Sequence, residues 1–367
     1  MHIASLRKNY PALAEQTYLN TASCGLVSQA TATAAQGFYQ ELLEQGGAPR
    51  NNWYDEVHRL RQEAAAWLGA EADEIALLPN FSVACNYVAR ALTDYARVLL
   101  LEDDYSSLTL PWLLPDYQVH YCSAMPNGAI DLNVLEEQIK KHRIEVLALS
   151  HVQYASGFCV DLETLARCCR DWGVLLVVDA TQSLGVMPID MRNAPVDILM
   201  ASGYKWMTAG YGNALLFVRR ALHHRLRVPA AGNNSFDKAL EVRSRADLSF
   251  SPRLLEVGHY DFASLRALRQ AVSELQAIGQ EAVQRRMRAL TTYLYRHLPA
   301  SAEVVSDYAE ANRSGITVLR GGLDLERALR KQKVVTSARP GGLRISLHFY
   351  NNEADIDHLC QALIAVG

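Results

Sequence analysis

The sequence predicts an α/β fold: a mostly parallel sheet flanked by helices, with a smaller α+β domain towards the C-terminus. Three observations lead there. Between about residues 28 and 218, short apolar runs alternate with helical patterns, the rhythm of a parallel sheet covered on both faces. The run VLLVV (174–178) is continuous rather than alternating, as expected of a strand buried on both sides. After residue 258 the pattern changes to a long helical stretch, then short strands around single helices. A chain of 367 residues has room for two such units. The division read here is 21–258 for the large domain, and 1–20 with 259–367 for the small one.

The elements follow in order. Strands are expected at 75–78 (IALL), 97–101 (RVLLL), 117–122 (YQVHYC), 144–150 (IEVLALS), 174–179 (VLLVVD), 196–201 (VDILMA) and 214–218 (ALLFV). Helical periodicity covers 28–45, 52–68, 82–94, 131–142 and 161–172. The segment 228–256 has weak periodicity and reads as a loop over the site. A helical stretch then runs to about Leu298, broken near Gly279. Short strands at 315–319, 334–336 and 343–347 surround a helix at 324–332, and a last helix spans 353–365.

Composition narrows the function. Half the residues are hydrophobic and a fifth are charged, the balance of a soluble globular protein. The net charge is -3 with Lys and Arg spread along the chain, so no basic field for nucleic acid is implied. The start MHIASLRKNYPAL lacks an apolar signal core. No run approaches the ~18 apolar residues of a membrane span. The seven cysteines show no CxxC pair and no zinc spacing, so no metal is expected. They read as reduced thiols in a cytoplasmic protein, with Cys168-Cys169 packed on a helix. His223-His224 reads as a solvated helix end.

In open α/β sheets, ligands sit at the carboxyl ends of the strands. Three features fall there. The stretch SGYKWMTAGYG (202–212) sets Lys205 between Tyr204 and Trp206, in a Gly-rich turn after an apolar run. A lysine so placed is either a surface residue at a strand end or an amine in an apolar pocket. In a pocket its pKa falls and it becomes a nucleophile. Asp179 ends the strand VLLVVD. A carboxylate after five apolar residues is costly unless it caps a helix or meets a cation. The turn Pro79-Asn80-Phe81-Ser82 opens a helix, whose free N–H groups and Ser82 hydroxyl offer an anion seat. Every capped helix start offers as much. Together the three supply an amine, an anion seat and a buried acid, the groups that pyridoxal phosphate (PLP) requires.

The run LSHVQYASGFCVDLETLARCCRDWGVLLVVDATQSLGVMPIDMRNAPVDILMASGYKWMTAGYGNALLFVRR resembles the core of class V aminotransferases. That is the fold type I PLP family that includes cysteine desulfurases, kynureninases and isopenicillin N epimerase. The likeness extends outward through TYLNTASCGLVS, LLEVGHYDFASLRALRQAVSELQAIG and GGLRISLHFYNNEADIDHL, nearly the whole chain. Its most specific part is DATQ…SGYK, with Lys205 26 positions after Asp179.

The resemblance implies roles. Lys205 would hold PLP as a Schiff base and shuttle the proton at the substrate's Cα. Asp179 would keep the pyridine nitrogen protonated. Gln182 would hydrogen-bond the ring's phenolic oxygen, and Tyr105 would stack on the ring. Phe81, Ser82, Ser202 and Tyr204 would hold the phosphate. Arg344 would clamp the substrate carboxylate with two parallel hydrogen bonds, unless it is a surface strand Arg. Arg339 and residues 21–25 would contribute substrate contacts. A homodimer with sites at the interface is also implied, because the segment Glu256, Gly258, His259 resembles one that reaches the partner's phosphate.

Departures from the family pattern are as informative. Tyr204 stands where the family usually has His, Tyr154 where many members have Asn, and His259 where a Thr is usual. His151 reads as structural. The region KQKVVTSARPGGLR lacks the persulfide-forming Cys that desulfurases carry, which argues against sulfur transfer unless a distant Cys such as Cys24 is recruited. The expectation is therefore an aminotransferase acting on an amino acid or amine. The alternatives are a C–S lyase, epimerase or decarboxylase, and, from another class, a non-catalytic PLP-binding protein.

Overall fold

Seven apolar runs between residues 75 and 218 become the seven strands of one sheet. The computed structural model describes residues 3–194, 196–236, 242–244 and 249–366. Its strands in chain order are β1 Thr17–Tyr18, β2 Ile75–Leu78, β3 Arg97–Leu101, β4 Gln118–Cys122, β5 Val146–Ser150, β6 Leu175–Asp179, β7 Ile198–Ser202, β8 Ala214–Val218, β9 Ile316–Leu319, β10 Val334–Val335, β11 Ser337–Arg339 and β12 Gly342–Ser346. The large sheet runs β2-β8-β7-β6-β5-β3-β4. Only β8 is antiparallel to its neighbours; the remaining pairs are parallel.

The continuous apolar runs have the expected cause. Every residue of β5 to β8 is buried. The pleat sends Leu147, Leu149, Leu176, Val178 and Leu199 into one core. It sends Val146, Ala148, Leu175, Val177, Ile198 and Met200 into the other. Each such Leu or Val gains roughly 1.5–3 kcal/mol from leaving water.

Three helix starts fall one residue after the sequence reading, because the first polar residue is a cap, while the helices expected at 52–68 and 82–94 begin earlier, at Arg50 and Phe81. Ser28, Asp131 and Asp161 each accept a backbone N–H of the following turn from outside the helices Gln29–Gln45, Leu132–His142 and Leu162–Asp171. The long helical stretch does break at Gly279, whose φ of 87° separates Phe262–Ile278 from Gln280–His297.

The C-terminal part departs more. The expected strand 334–336 stops at Val335, and β10 pairs in parallel with β1, which the sequence reading did not anticipate. The chain then changes partner. β11, also unanticipated, joins the antiparallel sheet β11-β12-β9. Pro340 and Gly341 alone connect β11 to β12, with Gly341 at φ 95°. From β1 the N-terminal segment continues along the C-terminal strands. Leu19 N–H donates to Val335 O (2.9 Å), Ser346 N–H to Leu19 O (2.8 Å) and Ala22 N–H to Ser346 Oγ (2.9 Å).

Of the stretch 228–256, residues 237–241 and 245–248 lie outside the described residues. In the remainder, the 3₁₀ turn Pro252–Leu255 is the regular element. No helix among the described residues is long and apolar enough to cross a membrane.

Candidate active site

Parallel register brings three strand ends together. Ser150 at the end of β5 lies opposite Asp179 at the end of β6, and Asp179 lies opposite Met200 of β7. Lys205 follows β7 by three residues, in a turn held by Gly203 N–H to Asn213 O (3.1 Å) and Ala209 N–H to Gly203 O (2.9 Å). The N-terminal segment closes on this turn. Gly25 N–H donates to Tyr204 O (2.9 Å), and a Cβ on Gly25 would lie 1.9 Å from Lys205 O.

Lys205 is a pocket lysine, only 6% exposed. Its Nζ lies 5.4 Å from the ring centroids of both Tyr105 and Tyr204. Among the described residues no acceptor bonds it. Burial pulls its pKa down to about 8, with the Arg344 and Arg339 charges adding to the effect and Asp179 opposing it.

Asp179 is buried, and its Oδ1 accepts Thr181 N–H (2.8 Å). Burial raises its pKa to about 6 against the hydrogen bonds from Thr181, with the Asp104 charge adding to the rise. Asp104 is a residue the sequence reading missed. Its carboxylate accepts Ser150 N–H (2.8 Å), Ser150 Oγ–H (2.6 Å), Tyr105 N–H (2.7 Å) and Gln153 Nε2–H (3.3 Å). The available signal was an acid immediately before the aromatic in EDDYSS.

The other expected residues distribute as follows. Tyr105 and Tyr154 meet edge to face, centroids 5.5 Å apart. Gln182 accepts Trp206 Nε1–H (2.6 Å) and donates to Ala22 O (3.1 Å), which locks its amide beside the lysine turn. Tyr204 stacks on the exposed Tyr211 at 4.5 Å. Ser202 N–H donates to Thr181 Oγ1 (3.1 Å). Phe81 buries its ring in the core and begins the helix Phe81–Ala91, capped by Asn80 accepting Val83 N–H. The backbone N–H groups of that first turn have no acceptor within the helix. Ser82 Oγ–H donates to Ser107 Oγ (3.0 Å), two residues beyond Tyr105. His151 is structural as expected, its ring nitrogens facing Ser183 Oγ (2.9 Å) and Cys159 Sγ (3.5 Å). His259 stands apart from this group: it is exposed and pairs through Nδ1 with Tyr54 Oη (2.9 Å).

Glu256, read from sequence only as part of a motif, is a buried knot. It accepts Leu77 N–H (2.7 Å) and Tyr260 Oη–H, and forms an ion pair with the buried Arg61 (2.5 Å).

Arg344 is 2% exposed, which excludes a surface strand role. Its Nη1 donates to Tyr154 O (2.6 Å) and its Nη2 to Ser23 Oγ (2.6 Å). Burial, together with the Arg339 charge, lowers its pKa to about 10. Arg339, exposed, donates through Nη2 to the same Ser23 Oγ (3.0 Å).

The family model for aminotransferase class-V matches residues 17–359. The chain belongs to the class-V aminotransferase family. One relative, the uncharacterized aminotransferase YcbU of Bacillus subtilis (strain 168), is 26% identical over 370 residues, covering 98% of this chain and 96% of that protein. Isopenicillin N epimerase of Amycolatopsis lactamdurans is 28% identical over 335 residues, covering 83% of each. Among solved structures, the apo cysteine desulfurase of Thermococcus onnurineus NA1 superposes with a TM-score of 0.89 at 21% identity, covering 99% of this chain and 97% of that one. This class-V chain is an enzyme and its cofactor is PLP. The residues fit that cofactor: a buried amine with no acceptor among the described residues, a buried acid with a raised pKa, and a helix start whose Phe81 and Ser82 N–H groups bond no acceptor among the described residues.

Proposed function

We propose that this enzyme is an aminotransferase acting on an amino acid or amine, with PLP bonded covalently to Lys205. The observation that carries the reading is the buried, acceptor-free amine of Lys205, pulled down to about 8. An amine of that kind bonds to a carbonyl near neutral pH and then takes and returns a proton at the substrate's Cα. PLP, when bound, supplies the ring that accepts the electron pair left on Cα.

The roles that the family likeness implies belong to this reading. Asp179 would hold the ring nitrogen's proton, and Tyr105 would pack against the ring. Gln182, and with it Tyr154, would serve the phenolic oxygen. Phe81 and Ser82 would hold phosphate from the helix start, Ser202 and Tyr204 from the lysine turn. Arg344 would take the α-carboxylate. The two-residue turn between β11 and β12 supports transamination over desulfuration, because it leaves no loop on which a nucleophilic cysteine could travel.

One observation favours a second reading, a lyase or epimerase. The half-buried Cys24 stands in the segment that covers the lysine turn, next to Gly25, whose N–H donates to Tyr204 O. A homodimer belongs to the proposal too. Glu256 is anchored in the core while His259, three residues on, is exposed, and a homodimer would turn His259 towards the partner copy. So do the division into domains 21–258 and 1–20 with 259–367, and a cytoplasmic location, which the seven free cysteines support.

Single-turnover absorbance with candidate amino donors tests the reaction. A transaminase converts its cofactor to the amine form without an acceptor, and a keto acid restores it. An unchanged cofactor spectrum with released ammonia and a keto acid identifies a lyase. Deuterium exchange at Cα without ammonia identifies an epimerase.

A further inference from the structure

The hairpin β11-β12 places two guanidinium groups on one face. Ser337 pairs with Arg344 and Arg339 with Gly342, so residues 337, 339, 342 and 344 share a side of the ladder. Both groups then converge on one neutral atom. Arg344 and Arg339 each donate through Nη2 to Ser23 Oγ, at 2.6 and 3.0 Å. A hydroxyl oxygen has two acceptor lone pairs, so Ser23 has no further acceptor capacity.

No carboxylate among the described residues forms an ion pair with either arginine. Other arginines near or under the surface do have acids: Arg61 has Glu256, Arg266 has Glu41 and Glu56, and Arg286 has Glu353. The Lys205 amine lies close enough for both guanidinium charges to depress it. Two guanidinium groups thus meet at one hydroxyl. A single α-carboxylate on buried Arg344 offsets one of them. Arg339, at the exposed rim, keeps its remaining N–H donors.

We propose that the substrate is an amino acid with an anionic side chain, and that Arg339, positioned by Ser23, binds that second anion. The proposal rests on the reading in which Arg344 takes the α-carboxylate. The buried arginine sets where the substrate's Cα lies, and the rim arginine selects what extends from it. Because Arg339 is exposed, its contribution is modest and salt-sensitive.

The test uses the PLP-loaded enzyme with two probes of equal carbon count, butyrate and succinate, titrated by calorimetry. Succinate is expected to bind about three- to tenfold more tightly than butyrate at low salt, with the gap narrowing at high salt. Arg339→Gln should bring succinate to the level of butyrate and leave butyrate unchanged, while Arg339→Lys should keep part of the gap. Equal binding of the two probes by the wild-type enzyme overturns the proposal. So does an Arg339→Gln variant that weakens both probes alike, which would make Arg339 only a prop for the N-terminal segment. If butyrate binding survives Arg344→Gln, the underlying assignment of Arg344 fails and the proposal falls with it.

Discussion

Asp104 clasps Ser150, the residue that stands directly beside Asp179 in the parallel register of β5 and β6. One buried acid therefore both fixes the strand end and presses its charge on another. Asp179 has a folded pKa of about 6, above the usual carboxylate value. The folded state then holds its proton more tightly than the unfolded chain does. Its contribution to stability is greatest at low pH and is lost as pH rises from about 4 through about 6. Removing the Asp104 charge in Asp104→Asn should move this loss to lower pH. Urea titrations of the cofactor-free enzyme across that range measure it, and an unchanged profile would discard the coupling.

Lys205 shifts the other way. Its amine should react with a carbonyl or acylating reagent half-maximally near pH 8, where a solvated lysine would still be protonated. Borohydride should fix PLP to the wild-type chain, and the adduct should vanish from the peptide carrying Lys205→Ala. Mass spectrometry of the digested protein decides it: an adduct persisting in the variant moves the attachment elsewhere.

Gly25 leaves no room for a side chain. A methyl group there meets the Lys205 carbonyl at 1.9 Å, and backbone cannot swing aside. Gly25→Ala should cost about 1–3 kcal/mol and weaken PLP retention. Gly47→Ala, with nothing within 4 Å of the added carbon, is the control. Thermal melts of the two variants should separate; matching melts would mean the N-terminal segment does not press on the lysine in solution.

Glu256 should matter for folding more than for chemistry. Glu256→Ala strands Arg61, which is only 5% exposed, and removes the acceptor of Leu77 N–H. The expected loss is about 3–5 kcal/mol. Equilibrium unfolding in urea reads it directly, and a loss under 1 kcal/mol would show that the knot is replaceable.

Arg344→Ala should lower kcat/KM for donors with a free carboxylate by about ten- to a thousandfold, since each charge-assisted hydrogen bond contributes ~1.5–3 kcal/mol. Arg344→Lys should be poor as well, because an ammonium lacks the planar fork. Steady-state kinetics that leave kcat/KM intact would place the carboxylate contact on another residue.

The large sheet is legible in the sequence because strands buried on both faces must be written as unbroken apolar runs such as LLVVD. The lysine and the acid are legible because a charge at the end of such a run needs a reason. β1 is not, since a two-residue strand carries no period. Asp104, and the particular place of Ser23 within residues 21–25, escape for a different cause. Their importance lies entirely in partners distant in sequence: Arg339 and Arg344 for Ser23, Ser150 and Gln153 for Asp104. His259 shows the reverse, a residue suggested by motif position whose contacts within one chain, to Tyr54, leave it away from the lysine.

The route of the N-terminal segment, from β1 along β10 and β12 to Gly25, sets an order of assembly. Residues 17–25 reach Lys205 only by lying on strands that end at Ser346. A chain emerging from the ribosome has its lysine, acid and helix start long before it has those strands. Until β12 has been synthesised, the lysine turn lacks its cover. Contacts this distant in sequence form slowly and late. The nascent protein is therefore a poor captor of cofactor, and a chain truncated before β12 would keep its sheet yet never finish its site.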